Sequence, residues 1–252
     1  MSSKTTAYPS DHTLLYSKLD DAVLLCGQRM RPYFFSFFTE EEQACAQRYL
    51  QSVRFDNYAF FGGYEGAERR VLGLFYDTPE PFPVSAVLFQ YRKSDKLTHR
   101  DFLGALMSLG IERETVGDIL IEDGRAVAFV KTEIMEYILS QITKVGNVGV
   151  MLSKAQNETL PKGREPEEKA YSVSSMRADN IVAAVAGVSR EKSKALILSG
   201  MVSVNHLPCQ KISKLLNEGD KLTVRGKGKF EICGVLGNTK KHRIRISIIH
   251  YR

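Results

Sequence analysis

Cysteine is scarce in this sequence, and the few present do not group. The four thiols are Cys26, Cys45, Cys209 and Cys233, with no C-x-x-C pair and no histidine at metal-ligand spacing. That argues against a disulfide framework and against a zinc site, and leaves reduced, buried thiols and no bound metal as the expectation. Long apolar runs are missing as well. "AVLLC" (Ala22–Cys26) and "YFFSFF" (Tyr33–Phe38) are the longest candidates, and both are core-sized beside the roughly 20 residues that a bilayer requires. The start of the chain has no basic segment followed by an apolar one, so no signal peptide and no membrane contact are expected. Internal repeats and long low-complexity segments are absent too. A cytoplasmic protein is the simplest reading.

What is present is ordinary in amount and uneven in distribution. The 252 residues are 43% hydrophobic and 25% charged, enough for two or three small cores. The net charge of +6 conceals a split. Residues 1–170 carry 20 Lys+Arg against 24 Asp+Glu, while residues 171–252 carry 15 against 5. A basic module joined to a mildly acidic remainder points to a polyanion-binding part attached to something else.

Periodicity divides the chain further. Residues 1–70 read as a helical region: Leu14, Leu15, Leu19, Ala22, Val23 and Cys26 recur at helical spacing, and "TEEE" offers Thr39 and Glu42 as a capping box. "FFGGYEGAERR" (Phe60–Arg70) marks a tight connection. Residues 71–155 then alternate strand and helix signals: "RVLGLFYD", "VSAVLFQYR", the helix "THRDFLGALMSLG", a hairpin across Asp123-Gly124, the helix "TEIMEYILSQITKV" and the strand "NVGVML". This order predicts an α+β fold containing a ferredoxin-like, RRM-like βαββαβ domain. Residues 156–170, including "PKGREPEEK", read as a linker.

The basic module spans 171–252. One helix starts near Ser175–Arg177 and ends at Gly187; a second is capped by Ser189 and ends at Gly200. Ala195, Leu196 and Leu198 are expected to face the first helix, with Leu196 in the core. Arg190 and Lys194 share a face turned away from it. These residues resemble the S4-type RNA-binding domain through Arg177-Ala178-Asp179, Ser189-Arg190, Ala195, Leu196-Ile197, Gly200, Val202, Val204-Asn205 and Gly219-Asp220. His206 departs from the pattern, since glycine is common there. The candidate RNA contacts are Arg177, Asp179, Ser189, Arg190, Lys192, Lys194, Asn205, Lys211, Arg225, Lys227, Lys229, Lys240, Lys241 and Arg243, with cations placed to meet phosphates.

A narrower resemblance runs from about Phe60 to the C-terminus. "FFGGYEGAERRVLG", "LTHRDFLGALMSLGIERETVGDILIEDG" and "RGKGKF…GNTKK" are similar to the YlmH family. The resemblance implies a cytosolic protein that binds RNA of the large ribosomal subunit, with tRNA or peptidyl-tRNA as a further partner. It also implies rescue of stalled subunits, during which alanine tails are added to the stalled peptide, and a link to cell division.

Catalysis finds little support in the residues. The Gly-Arg-Leu-Asp context of pseudouridine synthases is absent, and "FGGYEG" precedes a strand and does not match G-x-G-x-x-G, as a methyltransferase loop would require. His99 and Asp101 in "THRD" allow either acid–base chemistry or helix capping. Arg69 and Arg70, in a glycine-rich turn, are candidates for a secondary phosphate contact. Phe89 and Tyr91 read either as a stacking face or as core. The expectation is a monomeric, non-enzymatic RNA-binding protein without cofactors. An RNA-modifying enzyme of the pseudouridine synthase or methyltransferase type, and a cell-division adaptor, remain the alternatives.

Overall fold

The computed structural model describes residues 13–155, 160–161, 167–239 and 243–251. The chain divides into two compact units, Met1–Gly163 and Arg164–Arg252. It is α+β throughout, with antiparallel sheets.

The first unit opens with helix α1 (Thr13–Arg29), which buries Leu19, Ala22 and Cys26 at three- and four-residue spacing. Helix α2 (Glu40–Ser52) begins at the expected capping box: Thr39 Oγ1 accepts from the Glu42 amide, and the Glu42 carboxylate accepts from the Thr39 amide at 2.7 Å. Between the two helices lies a strand. "YFFSFF" forms β1 (Tyr33–Phe38), and with β2 (Tyr58–Phe61) and β3 (Arg70–Leu74) it makes a three-stranded sheet in the order β1-β3-β2. The N-terminal region is therefore mixed rather than helical. Six residues are too short for a stable helix turned inward, and aromatic side chains favour the pleated, half-buried surface. β3 pairs within this sheet, so 70/71 is not a structural boundary.

The second sheet holds β4 (Val84–Gln90), β5 (Val116–Glu122), β6 (Arg125–Lys131) and β9 (Met151–Lys154) in the order β5-β6-β4-β9. Helix α3 (His99–Ser108) connects β4 to β5, and α4 (Thr132–Gln141) follows β6. The helix after β6 is shorter than its sequence suggests. Ile142 caps it, and Lys144–Val145 (β7) pairs with Val148–Gly149 (β8) in a small ribbon. Val87, Phe89, Ala126, Ala128 and Val130 pack under Phe102, Leu106 and Ile138 of the helices. Leu88, Val127 and Phe129 point the other way and pack against Phe37 and Val71 of the first sheet. Both faces of this sheet are thus covered. Gly63, at φ 101°, lies where an added Cβ would land on the Phe129 ring.

The second unit is a six-stranded sheet, β10-β15-β14-β13-β11-β12, with two helices on one face. Its strands are β10 (Glu167–Val173), β11 (Val202–Val204), β12 (Leu207–Pro208), β13 (Lys221–Val224), β14 (Gly228–Asn238) and β15 (Ile244–Tyr251). Glu167–Ala170, linker by composition, are strand residues paired with Ser247–His250. The unbroken register with the Ile-rich β15 outweighs their polar character. The other described linker residues, Leu160 and Pro161, belong to the first unit. Positions 156–159 and 162–166 lie outside the described residues.

Helix α5 (Ala178–Ala186) ends at Gly187 in the left-handed region, φ 65°, and α6 (Arg190–Leu198) starts from Ser189, whose Oγ accepts from the Lys192 amide at 3.2 Å. The buried side of α6 is Ser193 and Ile197, one turn apart, rather than Ala195, Leu196 and Leu198. Ala195 is exposed, Leu196 only flanks the core, and Leu198 is 67% exposed. Ser193 Oγ donates to the Asp179 carbonyl at 2.8 Å, which draws the serine to the contact and turns the leucines outward.

Ile197→Ala should therefore cost about 2–5 kcal/mol, whereas Leu198→Ala should stay within about 0.5 kcal/mol of the parent. Urea titrations of the two variants would separate these positions, and equal costs would contradict the orientation of α6.

Candidate nucleic-acid interface

The basic module is organised around one acid. Asp179, in the first turn of α5, is fully buried. Its carboxylate accepts from Arg177 Nε at 3.0 Å and from Arg190 Nε at 2.9 Å. Burial alone would push this carboxyl up. The hydrogen bonds and charges of the two arginines outweigh it and hold Asp179 below the usual carboxylate range. The motif makes Asp179 a candidate RNA contact, and its burial rules that out. Its role is to hold two guanidiniums whose side chains remain 36% and 53% exposed.

Lysines collect beside this node. The Ala178 amide donates to the Lys214 carbonyl at 2.8 Å, and Arg177 bridges to Leu215, so the Lys211–Lys214 turn lies against the start of α5. Lys211 and Lys214 are both exposed. Lys194 stands one turn after Arg190, and Lys192 lies on the adjoining exposed face of α6. Lys214 is not among the sequence candidates. Its spacing from Lys211 in "KISK" is the only local signal, and the turn that presents it is visible only in the fold.

Other candidates serve the scaffold. Asn205 and His206 form the two-residue turn between β11 and β12, at φ 51° and 66°. Asn205 Nδ2 donates to Asp220 at 2.8 Å, and its Oδ1 accepts from the Lys221 amide at 2.9 Å. Both ends of its amide are thus engaged. Ser189 is likewise engaged as the cap of α6. Arg225 and Lys227 are exposed on the β13–β14 turn. Lys229 is half-buried on β14, and Arg243 donates to the Ser172 carbonyl at 2.6 Å. Lys240 and Lys241 lie outside the described residues.

In the first unit the glycine-rich turn does cradle an anion, but an internal one. Asp118 on β5 accepts from the Glu68 amide at 2.7 Å, the Arg69 amide at 3.1 Å and the Tyr64 hydroxyl at 2.9 Å. Burial, then Asp118, pushes the Tyr64 hydroxyl far above its ordinary value, so it remains a donor. Arg69 Nε and Nη2 donate to the carbonyls of Val116 and Phe37 at 3.1 and 3.0 Å, and Arg70 Nε to Ala67 at 2.6 Å. Arg69 thus spends both its Nε and an Nη inside the fold, while Arg70 commits its Nε alone.

The remaining alternatives resolve the same way. Asp101 accepts from the Thr98 amide and hydroxyl at 2.8 and 2.7 Å, a helix cap rather than an acid–base pair with His99. Phe89 is core, its ring 5.4 Å from Phe102, and Tyr91 donates to the Glu122 carbonyl at 2.9 Å.

Residues 78–159 match a family model described as "Putative RNA-binding domain in YlmH". A Bacillus subtilis protein named ribosome-associated protein quality control protein P2 is 34% identical over 195 residues, covering 75% of this chain and 76% of that protein. The chain belongs to the YlmH family. A solved structure named as the cell division protein YlmH of Streptococcus pneumoniae shares the fold at a TM-score of 0.53 and 18% identity, over 60% of this chain and 94% of that one. The YlmH family model coincides with β4 to β9, the sheet whose two faces are both covered.

Because the folded value of Asp179 is depressed, its contribution to stability is complete above the unfolded carboxylate value of about 4 and is lost as pH falls through the folded value. Asp179→Asn should cost about 1–3 kcal/mol near neutral pH and make acid unfolding of the second unit shallower below pH ~4. Unfolding titrations at several pH values would show this; an unchanged acid limb would remove Asp179 from its assigned place.

Proposed function

We propose that this YlmH-family protein is an RNA-binding factor of the ribosome that acts by binding rather than catalysis. One observation carries the reading: a buried acid holds Arg177 and Arg190 in place beside half-buried Lys194 and exposed Lys211 and Lys214, on a face where Asp179 is already neutralised. Fixed guanidiniums flanked by mobile ammonium groups suit phosphates of a folded RNA, recognised by shape. The two helices over the sheet are read as an S4-type αL module, and the order β5-β6-β4-β9 as a ferredoxin-like, RRM-like sheet.

The name of the Bacillus relative supports a ribosomal partner, and with it a cytoplasmic location and a place in quality control of stalled translation. Within that reading the target is RNA of the large subunit, with peptidyl-tRNA as a further contact during alanine tailing, and the protein acts as a monomer. Catalysis is disfavoured because the acid that invited it is committed: Asp101 caps a helix. Cell division, which the Streptococcus neighbour carries in its name, does not transfer on a likeness that shows fold alone.

Arg190 cannot serve as a clean charge-reversal probe, because a glutamate there would face Asp179. Lys194→Gln with Lys211→Gln removes two cations, one half-buried and one exposed, without touching the node. In sucrose gradients the parent should comigrate with purified large subunits in a salt-sensitive way, and the double variant should do so about tenfold more weakly with unchanged melting. Absence of comigration of the parent at every salt concentration would refute the ribosomal reading.

A further inference from the structure

The family model attaches RNA binding to residues 78–159, but the sheet face that an RRM-like domain would offer is occupied by Phe37 and Val71. Contact from this domain has to come from elsewhere on its surface. A groove of about 670 Å³ runs between α3 and the segment after α4. Arg100, Gly104 and Ser108 succeed one another by a turn along one wall, and Gln141, Thr143 and Lys144 form the other.

The charge of this groove is not balanced by the fold. Elsewhere in the domain Arg92, Lys96, Arg125 and Lys154 are ion-paired with Asp95, Asp123, Glu122 and Glu136. Arg113 and Lys131 donate to the carbonyls of Val116 and Phe35. Apart from Lys93, the cations left over are Arg100 and Lys144. Their exposed side chains have no ion-pair or hydrogen-bond partner among the described residues, and both line the groove. The one carboxylate there, Asp101, is bonded to the Thr98 amide and hydroxyl, and neighbouring Arg100 acts on it only as the smallest of its influences. Gly104 leaves a gap in the α3 wall, since an added Cβ would meet nothing within 4 Å. An extended anion with repeating charge fits this pattern better than a compact one, because the two cations sit on opposite walls with neutral donors between them.

We infer that the groove between α3 and the β7–β8 ribbon is a second RNA-backbone site, in which Arg100 and Lys144 meet phosphates while Ser108, Gln141 and Thr143 contact sugar and phosphate oxygens. The inference rests on the reading of the protein as RNA-binding, and it assigns to the first unit a contact separate from the Asp179 module.

Three variants of the full chain test it against purified large ribosomal subunits: Arg100→Gln with Lys144→Gln, Gly104→Gln, and Lys96→Gln as an already paired control. The double variant should bind several-fold more weakly and lower the slope of log K against log salt by about 1.5, as expected for two lost phosphate contacts. Gly104→Gln fills the groove without changing charge and replaces a helical glycine, so its binding should fall while its melting temperature stays level or rises. Lys96→Gln should match the parent. Parent-like affinity in both groove variants would overturn the site and leave the ribosomal reading standing. Weaker binding at an unchanged salt slope would also overturn it, since the lost partner would not be phosphate. If the parent itself fails to bind, both readings fall together.

Discussion

A carboxylate drawn wholly or partly out of water is neutralised or ringed with donors, and each compact unit of this protein has one such group, half-buried Asp118 and fully buried Asp179. In the first, Asp118 gathers the Tyr64 hydroxyl and the Glu68 and Arg69 amides, tying the glycine-rich turn to β5. In the second, Asp179 gathers Arg177 and Arg190. The two solutions differ in what they leave outside. The backbone amides and the phenol that bond Asp118 bring no charge of their own. Guanidiniums each have five donors and spend only one or two on Asp179, so the same neutralisation leaves oriented cationic surface.

That difference explains why two glycine- or arginine-rich stretches that look equally suited to phosphate have different uses. "FGGYEGAERR" is a genuine anion-binding turn, and the sequence already contains its anion, 50 residues downstream of Glu68. Backbone geometry shows only that an anion fits. Whether the site is open depends on where the fold places the nearest carboxylate, and short-range patterns do not carry that information. The first sheet acts similarly on the second. The aromatic strand β1 supplies Phe37 to the face of β4 and β6 that would otherwise be exposed, and Lys131 and Arg69 donate to the carbonyls of Phe35 and Phe37. Those donors also blunt the backbone of β1 against further pairing.

Much of the architecture is legible in the chain because its signals are local. The capping boxes at Thr39 and Thr98, the turn at Gly124, the stop at Gly187 and the cap at Ser189 each act within four residues. Sequence and structure part where tertiary partners decide. β1 is hidden in a helical neighbourhood, because six aromatic and serine residues have no period long enough to classify. Hydrophobicity assigns the inward side of α6 to its leucines, but Ser193 bonds the Asp179 carbonyl and rotates the helix by that constraint. Asp179 itself stands out as part of a motif, which points to the wrong task for it. The S4-like spacings recur because their members bond one another: Arg177 with Asp179 and Arg190, Asn205 with Asp220 and Lys221. A motif of this kind marks the frame of a binding surface more directly than its contacts, and for that reason exposed Lys214 lies outside it.

On the proposed reading, the same frame sets the side from which a polyanion approaches the second unit. Helices α5 and α6 cover one face of the sheet; Arg190, Lys192 and Lys194 lie on α6, Arg177 and the Lys211–Lys214 turn adjoin the start of α5, and the acids of the two helices are Asp179, which is buried, and Glu191. On the opposite face the register sets Lys221 across from Glu231 and Glu168 across from Ile249, with the Tyr251 hydroxyl donating to Glu231 at 2.9 Å. Burial, followed by the surrounding glutamates Glu168, Glu231 and Glu218, pushes the Cys233 thiol up, as expected where carboxylates gather. Charge on the open face is mixed, while on the helix side the cations outnumber the one exposed acid of the helices, Glu191. A phosphate backbone therefore gains on the helix side and is opposed by carboxylates on the other. The direction of approach follows from the sheet register and from the position of one buried aspartate.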